Sequence, residues 1–484
     1  MSDEMKILHA TASCDSNTTK KISSVLRSFF MGKWYPIWIA LSVLIGRFTC
    51  LEVYFAMADL LIVSIALVLC NSIRPVLPNL ITFLYRIPLD HGPGSPNYSD
   101  YYITEPAVKF LPIFVLIFIA ALVYFFIKHN SFSGVNFLKL PLFIPLVILS
   151  ASFLTAGIFS GNRAEGDLIF SVFQVLVFFV LYLILYFGLR NESMEELTDY
   201  FVYIASVTAV VLILEVVNLY LPHSGVIYEG VIYKFNIKFG WGIANTGGNA
   251  LAVLPPLCML GVMRSDKLMK AMIYYVIAFM AMLASVMTLS RSSILVGGVG
   301  FISAIIVSVI AGKQKRFCRI TAVVAILITG VFLFVFRDKI IALYSRMLGI
   351  GFQDNGRYGI WSVALANFKD NPWFGNGHFL LDVGEVNSSF TPLLAHNTII
   401  QLLTAMGIFG LVSYLVYRVV TFFPFFKHFT STKFMMLISC AILVGSSLID
   451  NFIFWFNPVF IYNICIVLAV MHCEQIGSTS FTGE

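Results

Sequence analysis

Charged residues are scarce in this chain: they make up 12% of its 484 residues, while 59% are hydrophobic. Soluble domains carry about 25% charged residues, so a soluble globular protein is excluded. Short segments of alternating hydrophobicity are lacking, which excludes a membrane β-barrel. The first 33 residues are polar and basic, without a short apolar core and a small-residue cleavage site, so no cleavable signal peptide is expected. The net charge of +6 is spread over many loops. No basic block is dense enough to hold a phosphate backbone, so nucleic acid is not expected as a partner. The eight cysteines include no C-x-x-C pair and no Cys/His cluster of metal-ligand spacing. Most, such as Cys258 and Cys440, read as small buried hydrophobes. No Asp-x-Asp pair occurs either, so the carboxylate clamp for a metal and a nucleotide sugar is missing; no metal and no cofactor are expected.

What the chain has in quantity is apolar runs of membrane-crossing length. They fall at about 52–73, 109–127, 138–160, 168–189, 200–220, 249–263, 271–290, 293–312, 320–336, 396–417, 434–450 and 457–472. These runs predict an all-α, polytopic integral membrane protein with about twelve transmembrane helices. A further stretch, about 34–48, contains Arg47 and follows Lys33; it reads as an interfacial or re-entrant helix. The short basic segments 264–270, 313–319 and 418–433 should be cytoplasmic by the positive-inside rule. With the basic N-terminus also inside, both termini are expected in the cytoplasm and one span, not two, before residue 74. The outside then receives loops at about 74–108, 161–167, 221–248, 291–292, 337–395 and 451–456. The expected organisation is a cytoplasmic N-terminus with the interfacial helix (1–51), a bundle of about nine spans (52–336), a large outer loop with short surface helices (337–395), three last spans (396–472) and a cytoplasmic tail (473–484). No internal repeat is visible, which weighs against an inverted-repeat transporter.

Polar residues kept at a membrane face usually serve chemistry, because the bilayer gives no stabilisation for retaining them. The longest polar interruption runs from Gly356 towards Leu411, from the outer loop into a span. At its end stands His396, followed by Asn397; imidazole is suited to accepting a proton near neutral pH, though an interfacial histidine can simply cap a helix. Arg291 lies in a turn of a few residues between two outer span ends, where a guanidinium either snorkels or meets an anion such as phosphate. Lys234 and Lys238 precede the segment GWGIANTGGN, read as a small-residue loop able to cradle a diphosphate. Arg357 starts a short, weakly amphipathic helix ended by Pro372 and followed by Gly375 and Gly377. That helix is expected on the outer membrane surface, with Trp361 and Trp373 as interface anchors. Asp59, Glu215 and Asp450 are each solitary in a span and near its end, and read as structural hydrogen-bond partners.

Taken together, SRSS at 290–293, GRYGIWSVAL at 356–365, NPWFGNG at 371–377, HN at 396–397 and GIFGLVSYL at 407–415 resemble the bacterial O-antigen ligase and O-antigen polymerase superfamily. The resemblance covers roughly residues 200–420. It implies a membrane glycosyltransferase of the polyprenol-phosphate-sugar type in the bacterial cytoplasmic membrane, metal-independent, acting in lipopolysaccharide or related polysaccharide biosynthesis. Its donor would be a glycan on undecaprenyl diphosphate at the outer leaflet, and a chain-length-regulating co-polymerase is a candidate partner. The superfamily's arginine between two spans matches Arg291, and its loop histidine matches His396. These two are the expected catalytic residues, with Lys238, Arg357, Lys234 and Asn397 expected to bind substrate. A second family arginine has no match; Lys238 stands at about its place, keeping the charge but not the bidentate fork. That departure favours a polymerase joining lipid-linked repeat units. The alternatives are a ligase transferring glycan to lipid A-core and, from another class, a lipid-linked oligosaccharide flippase.

Overall fold

A backbone crossing a bilayer must satisfy its own hydrogen bonds, so the apolar runs wind into helices. The computed structural model describes residues 21–49, 51–82, 105–129, 131–159, 165–221, 226–228, 231–232, 234–239, 241–335, 357–378, 395–450 and 456–481, with Tyr85 and Arg337. Its helices are α1 (Lys21–Met31), α2 (Trp34–Thr49), α3 (Glu52–Leu69), α4 (Val76–Thr82), α5 (Glu105–Lys128), α6 (Phe143–Ile158), α7 (165–189) and α8 (Met194–Leu219). There follow α9 (Ala244–Arg264), α10 (Leu268–Met287), α11 (291–311), α12 (Lys315–Val335), α13 (Arg357–Asp370), α14 (Thr398–Phe426), α15 (Ser431–Ile449) and α16 (Phe456–Phe481). Two short strands, β1 (Ile227–Tyr228) and β2 (Val231–Ile232), pair antiparallel in the connection between α8 and α9. The protein is an all-α polytopic membrane protein, and each of the twelve apolar stretches falls on a helix. Among the described residues ten helices are long and apolar enough to cross a membrane, eleven if α1 and α2 form one bent span. Of the rest, α6 is shorter at 16 residues, and α12 opens with Lys315, Arg316 and Arg319.

The fully buried helix α9 forms the centre of the bundle, packed against α8, α10, α11 and α15. Small residues permit that close approach. A Cβ on Gly261 would press into the Tyr274 ring, and one on Gly248 would collide with the Thr288 and Ser293 side chains.

Side-chain contacts sort the helix termini into two ends of the bundle. At the basic end Arg264 pairs with Glu195 and Asp199, Lys313 with Asp266, and Lys433 donates to the Pro424 and Lys427 carbonyls. The other end, called the site end below, gathers the C-termini of α8, α10 and α15 with the N-termini of α9, α11 and α14.

Side-chain contacts bear on the expectation for residues 34–82; residues 83–84 and 86–104 of the expected outer loop lie outside the described residues. Helix α2 packs one face into the bundle. Its residues Tyr35, Ile39 and Val43 are buried, and Ser42 donates to the Asp59 carboxylate at 2.7 Å. With α3 it forms an antiparallel hairpin: Tyr35 packs with Ala66 and Cys70, while the Arg47 guanidinium reaches Glu52 at 3.9 Å and donates to the Phe239 carbonyl at the site end. Two antiparallel helices therefore pack into the bundle before residue 74, α2 being either part of a bent span with α1 or a re-entrant piece. Arg74 accordingly lies at the basic end, ion-paired with Glu192 and Glu196. Helix α4 follows, and beyond it Tyr85 meets the Trp241 ring at 4.7 Å. The physical reason is the Ser42–Asp59 bond: a carboxylate inside a span needs a donor, and a neighbouring transverse helix supplies it. At the other terminus, the stretch expected as a tail from residue 473 continues α16 to Phe481.

Candidate functional site

The last carbonyls of a helix have no partner within the helix. At the site end of α15 three of them in a row are taken by side chains from the two motif segments. Ser447 O accepts from Thr398 Oγ1 at 2.7 Å, Leu448 O from Asn397 Nδ2 at 3.0 Å, and Ile449 O from Arg357 Nη1 at 3.0 Å. The next residue, Asp450, meets His396 Nδ1 with its carboxylate at 2.7 Å. His396 and Asp450, 54 positions apart in sequence, thus form one pair. Both remain partly open, 28% and 18% exposed, so the ring's second nitrogen is not shut off from a substrate.

The loop leading into α14 holds the imidazole in place. His396 adopts a left-handed conformation, φ 49°, and Asn397 caps α14 by accepting from the Ile399 and Ile400 amides at 3.0 and 3.2 Å. Trp361 Nε1 donates to the Ala395 carbonyl at 2.6 Å, tying α13 to the residue before His396. Both ends of the Asn397 amide are thus engaged within the protein.

The NPWFGNG segment has a structural reason that composition conceals. Helix α14 breaks at Gly407, φ 66° and ψ −165°, a region essentially closed to other residues. The break frees backbone groups, and the segment 371–377 plugs into it. Asn376 N and Gly377 N donate to the Thr404 and Ala405 carbonyls at 2.9 and 3.1 Å, while Ile408 N and Phe409 N donate to Pro372 O and Trp373 O at 2.8 and 3.1 Å. A Cβ on Gly407 would collide with the Trp373 backbone, and one on Gly375 with the Ala405 backbone. Two glycines, one on each partner, permit this approach. Thr404 Oγ1 also donates to Ala364 O at 3.0 Å. The plug and α13 thereby form a rigid platform under Arg357 and Trp361.

Cations complete the site. Arg291 is exposed and makes no hydrogen bond or ion pair among the described residues, although its serine neighbours are fully engaged. Ser290 and Ser292 hydroxyls lie 3.2 Å apart, Ser292 donates to Asn249 Oδ1 at 3.1 Å, and Ser293 donates to Ser290 O at 2.9 Å. The serines of SRSS therefore anchor α11 to α9 and leave the arginine pointing free. Lys234 lies within electrostatic reach of Arg291, Asp450 and Arg357. Burial first, then Arg291, holds its ammonium below the ordinary lysine range, and the Asp450 carboxylate opposes that shift. An excess of positive charge around one carboxylate and one imidazole is suited to an anion.

The structure brings His396, Arg357, Lys234, Arg291 and Asn397 to the site end. Lys238 lies four residues beyond Lys234, in a turn that bridges back to Ile243. The segment GIANTGGN is not a loop: from Ala244 it is the first turns of α9, with Gly247, Gly248 and Asn249 buried against Phe239 and α10–α11. Its glycines serve helix contact and do not cradle a phosphate. Sequence reasoning assigned Asp450 a structural bond without its partner, and it took Trp361 for an interface anchor. Of the three span acids, Asp59 meets Ser42 and Glu215 accepts from Trp241 Nε1 at 2.7 Å, as expected of structural partners; Asp450 meets the imidazole. The signal available was position: Asp450 ends a span whose neighbour begins at His396, and antiparallel neighbours bring such ends together.

Residues 275–415 match the O-antigen ligase family, which bears out the resemblance to the O-antigen ligase and polymerase superfamily. The match spans Arg291, Arg357 and His396 with the NPWFGNG plug and its receiving break, and stops short of Asp450. Members of this family are membrane glycosyltransferase-like enzymes acting on lipid-linked glycans. No curated protein matches the chain.

Proposed function

With membership of that superfamily as the premise, we propose that the chain is a polysaccharide polymerase of the bacterial cytoplasmic membrane. It joins oligosaccharide repeat units carried on undecaprenyl diphosphate. The reading rests on one observation above the others: the His396–Asp450 pair lies at the same bundle end as Arg291, Lys234 and Arg357. The basic end is the cytoplasmic one by the positive-inside rule, so the site faces the outer leaflet. Arg291 and Lys234 receive the donor diphosphate, Arg291 with a two-pronged fork. Asp450 holds the imidazole through Nδ1, which leaves the opposite nitrogen free to take the proton of the acceptor sugar hydroxyl. That oxygen attacks the anomeric carbon from the face opposite the diphosphate. The new glycosidic C–O bond forms as the C–O bond to phosphate breaks, the electron pair leaves with undecaprenyl diphosphate, and the cations neutralise it. Arg357 supports this charge while bracing α15; Asn397 and Trp361 position His396. Lys238 is a second-rank contact to donor phosphate.

The test is a glycan gel from cells carrying only His396→Ala, Asp450→Asn or Arg291→Ala, with membrane content of the protein measured alongside. The expected result is a cap of single repeats and loss of long chains. A normal ladder from His396→Ala or Arg291→Ala at wild-type protein level refutes the proposal. A second reading, the ligase, is favoured by the description of the matched family. It predicts polymer stranded on undecaprenyl diphosphate and an uncapped lipid A-core. A flippase would leave single repeats on the cytoplasmic face.

A further inference from the structure

Away from His396, the bundle carries an apolar groove of about 870 Å³ between α4, α5, α7 and α16, a size typical of ligand sites. Its wall includes Phe118, Leu122, Phe126, Leu176, Val180 and Ile184, and Ser131 is the one hydroxyl among its lining residues. The groove is built by a defect in α7. Over Leu176–Val180 that helix takes a π-turn, a widening often found at functional sites. The Val177 carbonyl accepts from Asn463 Nδ2 of α16 at 2.9 Å, and Asn463 is fully buried. A buried amide thus locks the widened turn, and Leu176, Val177 and Val180 become groove wall.

Length and charge identify the occupant. From Phe118 to Ile127 the wall runs ten residues of α5, a rise of roughly 14 Å, about half of a hydrocarbon core near 30 Å thick. The groove is therefore about one leaflet deep, and its wall reaches the basic end at Ile127, Ser131 and Phe132. Lys128 directly follows the lining residue Ile127; its ammonium donates one hydrogen bond to the Val68 carbonyl at 3.1 Å, which leaves two N–H groups for a phosphate. The lining ring of Phe132 meets Phe187 at 4.8 Å, and the Arg190 guanidinium lies over that ring at 5.3 Å. Of the nearby carboxylates, Glu192 pairs with Arg74, while Glu474 accepts from Tyr186 Oη at 2.8 Å and lies within the electrostatic reach of Arg190 without ion-pair contact. Among the described residues neither Lys128 nor Arg190 has a carboxylate in ion-pair contact.

We infer that the groove holds an acyl chain of an anionic phospholipid from the leaflet at the basic end, with its phosphate between Lys128 and Arg190. A polyprenyl tail hanging from a diphosphate at Arg291 belongs to the opposite leaflet. The inference stands apart from the chemistry assigned to His396.

The test uses the full-length protein in nanodiscs of equal parts phosphatidylglycerol and phosphatidylcholine, with retained lipid read by native mass spectrometry. One phosphatidylglycerol is expected to stay bound, preferred by roughly five-fold for each of the two cations. Leu122→Trp fills the groove and removes the bound lipid. Lys128→Ala combined with Arg190→Ala, one at the last residue of α5 and the other in the turn after α7, keeps a lipid bound but erases the preference. Equal retention of both lipids by the wild-type protein, unchanged retention in Leu122→Trp, a co-purified isoprenoid diphosphate in the groove, or no retained lipid would each overturn the inference.

Discussion

Replacing Asp450 by Asn probes the reaction at its centre while changing almost no volume. An asparagine oxygen facing His396 Nδ1 keeps the imidazole's orientation and removes only the carboxylate charge; the amide turned the other way donates to Nδ1, puts the ring proton on the opposite nitrogen and deepens the loss. That charge stabilises the imidazolium formed as the acceptor hydroxyl loses its proton. For charges about 4 Å apart, ring centre to carboxylate, the interaction is near 4 kcal/mol at an effective dielectric of about 20 and near 1 kcal/mol in water. His396 and Asp450 are 28% and 18% exposed, which puts the pair between these limits, at about 2–3 kcal/mol. The expected loss in kcat is then roughly 30- to 150-fold, with donor KM changed little. His396→Ala removes the base altogether and should lose about 10²- to 10⁴-fold. Since the carboxylate acts through the imidazole, the double variant should be about as slow as His396→Ala alone. The assay is initial-rate chain extension by the purified full-length protein in nanodiscs, fed a lipid-linked repeat unit. Wild-type rate in Asp450→Asn, or losses that multiply in the double variant, would refute the idea that the two residues act as one unit.

Four further outcomes are expected. Gly407→Ala forces a residue with a Cβ into a glycine-only backbone region and into the Trp373 backbone; strain alone of about 1–3 kcal/mol should lower Tm and detach the plug, read as new protease sensitivity in residues 371–377. Arg291→Lys should raise donor KM less than Arg291→Ala does, the latter by about 1.5–3 kcal/mol of charged hydrogen bonding, or roughly 10- to 150-fold, with kcat falling in parallel. Because burial and Arg291 hold Lys234 below the ordinary lysine range, it loses its proton earlier as pH rises, so donor KM should climb below the pH at which a free lysine titrates. Lys234→Met should flatten that climb; unliganded protein gains stability through the same window, since there the unfolded chain binds more protons than the folded one. Trp361→Phe deletes the hydrogen bond to Ala395 O, worth about 1 kcal/mol, and should lower kcat several-fold without moving donor KM.

Much of the molecule is legible in one dimension. Apolar runs of bilayer length dictate helices wherever they occur, because an unsatisfied backbone in hydrocarbon is too costly; the twelve stretches read from sequence each became a helix. The residue types of the site were legible too: His396, Arg291, Arg357 and Lys234 are polar groups at span ends, where the bilayer gives no reason to keep them. What sequence could not supply is which end of which helix meets which. The direction of α2 and α3 turned on a single Ser42–Asp59 bond and on Arg47 reaching Phe239. The positive-inside count was blind to both, because it weighs loops and not side chains inside spans. NPWFGNG reads as turn punctuation until Gly407 is seen to open α14 and accept it, since a helix break looks like any other glycine until its freed amides find partners. Asp450 became part of the site because α14 and α15 run antiparallel and bring two span ends, 54 residues apart, within one hydrogen bond. Periodicity is a local property and survives in the sequence; complementarity between distant helix ends exists only after they have packed.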